Sequence, residues 1–531
     1  MSCASGTAHW SLFSNDRGQQ LRPILRPSVV LSTDSATHGY RMGFMTEQAS
    51  FDERDGPRDE CGVFGIYAPG KEVARLAYFA LYALQHRGQE SAGIAAADDG
   101  GFIITQRSLG LVSQVFKEHD LRALDGDLAI GHVRYSTTGS SGWENSQPVH
   151  RTGNATSSGR ELALAHNGNL TNAVELHAEL RAQGVEFTST SDSEIIAALI
   201  ADDPSPTVEE SVCAVMPRLQ GAFSTVVMTS ERVVAFRDPA GVRPLVLGQI
   251  DDSYCVASES CALDIIGATY MRDVLPGEMV SIGADGIRTQ MVVEGAREAF
   301  CLFEYIYFAR PDSRMNGTVL QAARGRMGEA LAREHPAPSA DLVIAVPDSG
   351  NAAARGYARE SGLPQDDGFV KNRYVARTFI QPGQELRKQG LRLKFNPLPE
   401  IVGGKKLVVV DDSIVRGNTT RQIVQMLRDA GALEVHLRIS APPIRNPCYY
   451  GVDMSTREEM IAHGKTVDEI AEMLGADSLA YVSLEGVYGA VEGEPANHCD
   501  ACFSGNYPLP VAEEGNKLAL ESQLPMAPTS A

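Results

Sequence analysis

The chain has 531 residues, 43% of them hydrophobic and 21% charged, which is enough for roughly three domains of about 150 residues, or two larger ones, with sizeable cores. A formal net charge of −20 excludes nucleic acid and anionic membrane as main partners and leaves room only for a local basic pocket. No apolar run reaches the roughly 18 residues of a membrane span, and nine scattered cysteines, odd in number, fit a reducing, cytoplasmic setting better than a disulfide framework.

Residues 1–60 are rich in Ser, Arg and Asp and weakly periodic, and read as an uninformative tail. Pro23–Ser32 is too short and interrupted for the apolar core of a secretory signal. Met42 and Met45 are alternative translation starts.

The text changes at Asp59–Glu60–Cys61–Gly62–Val63–Phe64–Gly65–Ile66–Tyr67, where an acidic linker gives way to an apolar strand headed by a cysteine. A lone cysteine there is ordinarily a small buried hydrophobe. Four further stretches follow in order: Leu84–Gly93, Gly131–Gly139, His166–Leu170 and Thr190–Glu194. Singly, each is a turn or a cap; Asn167–Gly168 is a hairpin-turn signal, and Asp192 can cap a helix over Ile195–Ile200. Together, over residues 61–290, they resemble the class II glutamine amidotransferases. The resemblance implies an α+β N-terminal-nucleophile fold of four layers, αββα, and a leader, residues 1–60, removed on maturation so that Cys61 becomes the N-terminus. It implies Cys61 as the nucleophile, Asn167 and Gly168 as the oxyanion hole, and Arg134 and Asp192 as ligands of the glutamine carboxylate and ammonium. Gly221–Met228 reads as a strand and Arg237–Leu245 as a turn between strands; Cys213, Cys255 and Cys261 read as inert core thiols.

Glu304–Ser313 reads as an aromatic strand opening a new unit. Leu342–Val346, Leu407–Val410 and Val435–Ile439 are further strands, separated by helical patterns that include Ala352–Ser361 and Arg421–Ala430, with Gly431 as a stop. This alternation predicts a mostly parallel α/β sheet over about residues 300–470. Pro347–Gly350 is a βα turn, and Lys371–Pro382 is a basic stretch that reads as a lid. Asp411 and Asp412 close their strand before Ser413–Thr420, a loop at a helix N-terminus that suits a phosphate. This run resembles the phosphoribosyl-pyrophosphate (PRPP) loop of type I phosphoribosyltransferases.

The two halves together, over nearly all of residues 61–505, resemble the amidophosphoribosyltransferase family. The resemblance implies that glutamine, PRPP and water give 5-phosphoribosylamine, glutamate and pyrophosphate, the committed step of purine biosynthesis, through an ammonia channel. It implies Asp411, Asp412, Ser413, Arg416, Gly417, Asn418 and Thr419 as PRPP ligands, and Ser349, Asp411 and Asp412 as ligands of one Mg²⁺ per subunit. Purine nucleotides as feedback inhibitors, a cytoplasmic location and a homotetramer are implied as well. Cys301, Cys448 and the pair Cys499 and Cys502 leave zinc, a redox pair and an iron–sulfur cluster open on spacing alone. By resemblance they are the ligands of a [4Fe–4S] cluster that pins the C-terminal tail, residues 471–531 with Cys499 and Cys502, to both domains; the tail is expected to fray after about 506. An alternative, a PRPP-sensing regulatory protein, would need a basic DNA-binding unit that the sequence lacks and would not need Cys61, Arg134, Asn167 and Asp192.

Overall fold

The computed structural model describes residues 61–98, 100–135, 141–154, 159–372, 394–454, 456–511 and 520. The leader, the basic stretch from Arg373 to Pro382 and most residues after 511 lie outside the described residues.

Two antiparallel sheets stack face to face. The first has seven strands, with Gly62–Tyr67 at its centre between Ser253–Ala257 and Leu128–Arg134. The second has six, with Glu161–Leu170 paired to Gly221–Met228. Alternating residues of both, among them Val63, Ile130, Ala165, Val226 and Val256, form the core between them. The sheets approach closely at Gly65, where a Cβ would lie 2.7 Å from Val226 and 2.9 Å from Val233. Helices Val73–Ala83 and Ser260–Ile265 cover the outer face of the first sheet, and Ala173–Ala182, Asp192–Asp202 and Val208–Val215 that of the second. This is the four-layer αββα arrangement of an N-terminal-nucleophile fold. Cys255 and Cys261 are buried in its core, and Cys213 is half-buried.

A four-stranded parallel sheet follows, ordered Leu342–Ala345, Lys406–Asp411, Glu434–Ile439 and Ser478–Tyr481. Leu407–Val410 is buried on both faces, as a β-branched run at the middle of a parallel sheet must be. Asn351–Ser361 and Asn418–Asp429 are its crossover helices. Gly417, at φ +84°, supplies the left-handed turn into the second. The fourth strand lies beyond residue 470 and has no long apolar run to announce it.

Three expectations need correction. Glu304–Phe308 is a wide helical turn, not a strand. Tyr305, Ile306 and Phe308 all bury, and helical winding lets them face several neighbours at once, which a two-sided strand does not. Asn167–Gly168 lies inside the strand Glu161–Leu170 instead of turning a hairpin, because Gly168 must pass close to the neighbouring strand. The tail does not fray at 506: Tyr507 donates to the Pro447 carbonyl at 2.7 Å, and Tyr450 donates to the Leu509 carbonyl at 2.7 Å.

Candidate active sites and the cysteine cavity

Cys61 precedes the central strand, whose Gly62 pairs with Val133, so the thiol stands beside Arg134 at the strand end. Cys61, Arg134, Gly168 and Asp192 line one cavity with about 210 Å³ of unfilled space. Tyr135, Gln147, His166, Ser191 and Ser193 complete it. Asn167 is not in the lining, but its side-chain nitrogen is buried and has no partner. A buried amide donor left open is unusual and marks a place where an acceptor is expected. Gly168 has φ +150°, and a Cβ there would lie 2.0 Å from the Ala222 carbonyl oxygen, so no other residue fits.

The charges are held from behind. Arg134 faces Glu90 at 3.6 Å. Ser191 caps the helix that begins at Asp192, which leaves the aspartate free of the capping role. Asp192 accepts from the Leu170 N–H at 3.0 Å and stands 3.6 Å from His166. Burial pushes its carboxyl up, but His166, the Leu170 N–H and Arg134 outweigh that and hold it below the usual range. Burial holds the His132 imidazole down to about 3, so it is neutral. Its Nε2 sits 3.0 Å from the His166 carbonyl, which only accepts, so Nε2 carries the proton. The sequence reading gave no role to His166, Tyr135 or Gln147; His166 opens one quoted stretch and Tyr135 lies in another, but nothing local shows that they face the cavity.

The Cys61 thiol donates to the Tyr135 carbonyl at 3.3 Å, and burial pushes it up to about 11. Within a continuous chain it is therefore protonated at neutral pH. Its thiolate fraction rises with pH until about 11, so iodoacetamide labelling of Cys61 in the uncut chain should climb about tenfold per pH unit from pH 7 to 10. Peptide mass spectrometry of the labelled chain checks this; a rate already flat at pH 8 would contradict it.

At the parallel sheet, Asp411 and Asp412 end their strand, both buried. The Asp412 N–H donates to Asp411 Oδ1 at 2.9 Å, and the Ser413 hydroxyl donates to Asp412 Oδ2 at 2.6 Å. Ser413, Arg416, Gly417, Asn418 and Thr419 run through the loop into the first turn of the helix. Arg416 pairs with Glu459 at 2.6 Å. The turn Pro347–Gly350 packs on the same strand end: the Val346 N–H donates to the Val410 carbonyl at 2.9 Å, and a Cβ on Gly350 would lie 2.5 Å from that oxygen. Ser349 is thus on the turn beside the acidic pair, and Lys371 pairs with Asp348 there. Two buried carboxylates and a hydroxyl at neighbouring strand ends form an all-oxygen donor set, which suits Mg²⁺.

Cys301, Cys448, Cys499 and Cys502 line a second cavity, with about 350 Å³ of unfilled space, together with Arg243 and Tyr507 among others. Phe300–Cys301 pairs in parallel with His498–Cys499, so Cys301 and Cys499 are register partners 198 positions apart in sequence. The Cys502 carbonyl accepts from the N–H groups of Arg445 and Asn446 at 2.9 and 3.1 Å. The Tyr450 N–H donates to the Cys448 sulfur at 3.4 Å. Burial pushes the Cys499 thiol up to about 12; burial and the three neighbouring sulfurs raise Cys502 well above the thiol range. Among the described residues, no group of three or more His, Cys, Asp and Glu side chains forms a site for a metal ion. The four cysteines line this one cavity, and thiolate sulfur suits zinc or an iron–sulfur cluster. Among the described residues, no helix is long and apolar enough to cross a membrane.

Comparison with known proteins gives consistent results. A family model described as a glutamine amidotransferase domain matches residues 132–264. The chain is 50% identical to an amidophosphoribosyltransferase from Mycobacterium tuberculosis over 481 residues, 88% of this chain and 90% of that protein. It is 46% identical to an amidophosphoribosyltransferase from Bacillus subtilis over 467 residues, 87% of this chain and 97% of that one. A solved glutamine PRPP amidotransferase from B. subtilis, complexed with ADP and GMP, superposes with a TM-score of 0.80 at 45% identity, covering 85% of this chain and 98% of that chain.

Proposed function

Because the chain belongs to the amidophosphoribosyltransferase family, we propose that residues 61–290 form its glutaminase unit, residues 300–470, with the strand Ser478–Tyr481 completing the sheet, its phosphoribosyltransferase unit, and residues 471–531 the segment carrying two cluster cysteines. The chain is a glutamine-dependent pentosyltransferase of purine biosynthesis. The reaction proposed in detail is glutamine, PRPP and water giving 5-phosphoribosylamine, glutamate and pyrophosphate.

Removal of residues 1–60 makes Cys61 the N-terminus. Its α-amine, with an ordinary pKa of about 7.7–8.0, then takes the thiol proton as the sulfur attacks the side-chain amide carbon of glutamine. Arg134 holds the substrate carboxylate as a forked donor and Asp192 holds the ammonium. The Asn167 amide and the Gly168 N–H take the oxyanion. The C–N bond breaks, ammonia leaves, and water releases glutamate from the thioester. The observation that carries this reading is the single cavity lined by Cys61, Arg134, Gly168 and Asp192, with the open Asn167 donor beside it.

At the second site Asp411 and Asp412 hold the ribose hydroxyls, and Ser413, Arg416, Gly417, Asn418 and Thr419 hold the 5-phosphate. Ammonia attacks C1 as its bond to pyrophosphate breaks. Ser349, Asp411 and Asp412 would hold one Mg²⁺ per subunit, which would supply positive charge beside the leaving pyrophosphate. Cys301, Cys448, Cys499 and Cys502 would hold a [4Fe–4S] cluster; burial and the three neighbouring sulfurs raise the Cys502 thiol, and cationic iron would favour its thiolate. The complex of the B. subtilis relative with ADP and GMP supports purine nucleotides as feedback inhibitors. A homotetramer in the cytoplasm completes the reading.

The test is run on anaerobically purified protein, following glutamate and pyrophosphate with and without PRPP–Mg²⁺. Matched release of both, stimulated by PRPP, is the expected result. Glutamate without pyrophosphate would overturn the acceptor, and the intact mass of the sample shows whether residues 1–60 have been removed.

A further inference from the structure

The cysteine cavity and the nucleophile are tied together through one loop, Cys448–Gly451. The tie has two arms. In the first, the Asn169 amide donates to the Tyr449 carbonyl at 3.0 Å. A Cβ on Gly451 would lie 3.2 Å from the carbonyl carbon of Gly168, so the loop rests against the backbone that carries the oxyanion donor. The second arm is ionic and wholly buried. Arg243, in the wall of the cysteine cavity, donates through Nε to the Tyr450 carbonyl at 2.8 Å and faces Glu304 at 3.6 Å. Arg87 donates to Glu304 through both terminal nitrogens, at 2.5 and 3.1 Å, and through Nε to the Cys61 carbonyl at 3.0 Å. Arg87, Arg243 and Glu304 are all 1% exposed or less.

We propose that the loop carrying Cys448, with Asn169 on one side and Arg243, Glu304 and Arg87 on the other, is a positioning relay through which the cysteine cavity sets the geometry of Cys61 and Gly168. The inference rests on the roles assigned above to those two residues and to the four cysteines. Three buried charges in a row are a costly way to hold two domains together, since apolar side chains of similar size do as well. What apolar groups cannot do is hold two main-chain carbonyls, those of Cys61 and Tyr450, in one register from opposite ends of a rigid chain. Arginine's planar fork suits that task. Glu259 braces the same end: it takes Arg87 at 2.6 Å, the Ser313 hydroxyl at 2.7 Å and the Arg310 N–H at 2.8 Å. Removing the ligands or contents of the cysteine cavity frees the loop from Cys448, and both arms then pass that freedom to the glutaminase site.

The relay is tested with a diazoketone analogue of glutamine that alkylates the nucleophilic thiol, read as a mass shift on the Cys61 peptide. Wild type, Glu304→Gln and Asn169→Ala are compared as iron-loaded proteins whose intact mass shows removal of residues 1–60, with visible absorption and iron content measured on the same samples. A nucleophile displaced by about 1 Å loses roughly 10²-fold in rate, so Glu304→Gln is expected to slow alkylation by about that factor and Asn169→Ala by about tenfold. The kcat for glutamine hydrolysis should fall while its KM stays within about twofold, and ammonia-supported synthesis should change by less than about twofold. Visible absorption should bleach faster in air in both variants than in wild type. Alkylation at the wild-type rate in both variants, with iron content intact, overturns the relay. Asn169→Ala leaves every buried charge paired and decides the matter if Glu304→Gln does not fold. No label on wild-type Cys61 overturns the nucleophile assignment itself, and the relay with it, so the two failures are told apart by which protein is unlabelled.

Discussion

Replacing Cys61 by alanine should lower glutamine-dependent synthesis by about 10⁴-fold or more and leave ammonia-dependent synthesis within about twofold of wild type. The sulfur has no substitute in its cavity. Tyr135 presents a backbone carbonyl to it, Arg134 and Asp192 are engaged with charges, and Gly168 has no side chain. No other thiol, hydroxyl or amine in the lining is matched to an oxyanion donor, because Ser191 and Ser193 are tied into the helix cap and to His166. The PRPP loop lies at the end of a different sheet and keeps its own contacts in the variant. Cys61→Ala also removes little volume, so its effect on stability should be small beside its effect on rate. The measurement is glutamate and phosphoribosylamine formation with glutamine and with ammonium as alternative nitrogen sources. Loss of both activities together would show that Cys61 is a structural core residue and not the nucleophile.

Replacing Asp411 and Asp412 together by asparagine should reverse that pattern. Pyrophosphate release and PRPP stimulation should fall by about 10²–10³-fold, while basal glutamine hydrolysis persists. Both carboxylates are buried at the end of Lys406–Asp411, and each is partly engaged: Asp411 accepts from the Asp412 N–H and Asp412 from the Ser413 hydroxyl. Asparagine keeps the shape and these two local bonds, because its oxygen still accepts, but it removes both charges. The variant therefore separates charge from packing. If Mg²⁺-dependent pyrophosphate release were unchanged, the acidic pair would be no more than a loop brace.

The apolar run Leu407–Val410, followed by two aspartates, a glycine and a helical pattern, was legible as a strand, a ligand-facing turn and a helix. All the information is local: β-branched residues favour a strand buried on both faces, and a glycine is needed where the backbone turns left-handed at Gly417. The helix begins three residues earlier than the apolar spacing predicts, at Asn418, because its first turn is built by the loop and not by the core. Glu304–Phe308 was misread because an aromatic run has no period to separate strand from helix. The strand Ser478–Tyr481 was passed over because four residues carry too little pattern.

The sequence by itself pointed to two folding units and to the strand, loop and helix around Asp411 and Asp412, and family resemblance added the candidate site residues. Local spacing carries the first of these, but it does not order the strands within a sheet. Only the tertiary structure brought Cys61, Arg134, Gly168 and Asp192 to one cavity, since the first and last are 131 positions apart. It alone put His166 into that cavity, left the Asn167 amide open, and paired Cys301 with Cys499 across 198 positions. The buried chain from Cys61 through Arg87, Glu304 and Arg243 to Tyr450 leaves no trace in sequence, because each member taken singly reads as an ordinary surface charge. Pairing in three dimensions is what makes burial of those charges affordable, and pairing is a property of the fold.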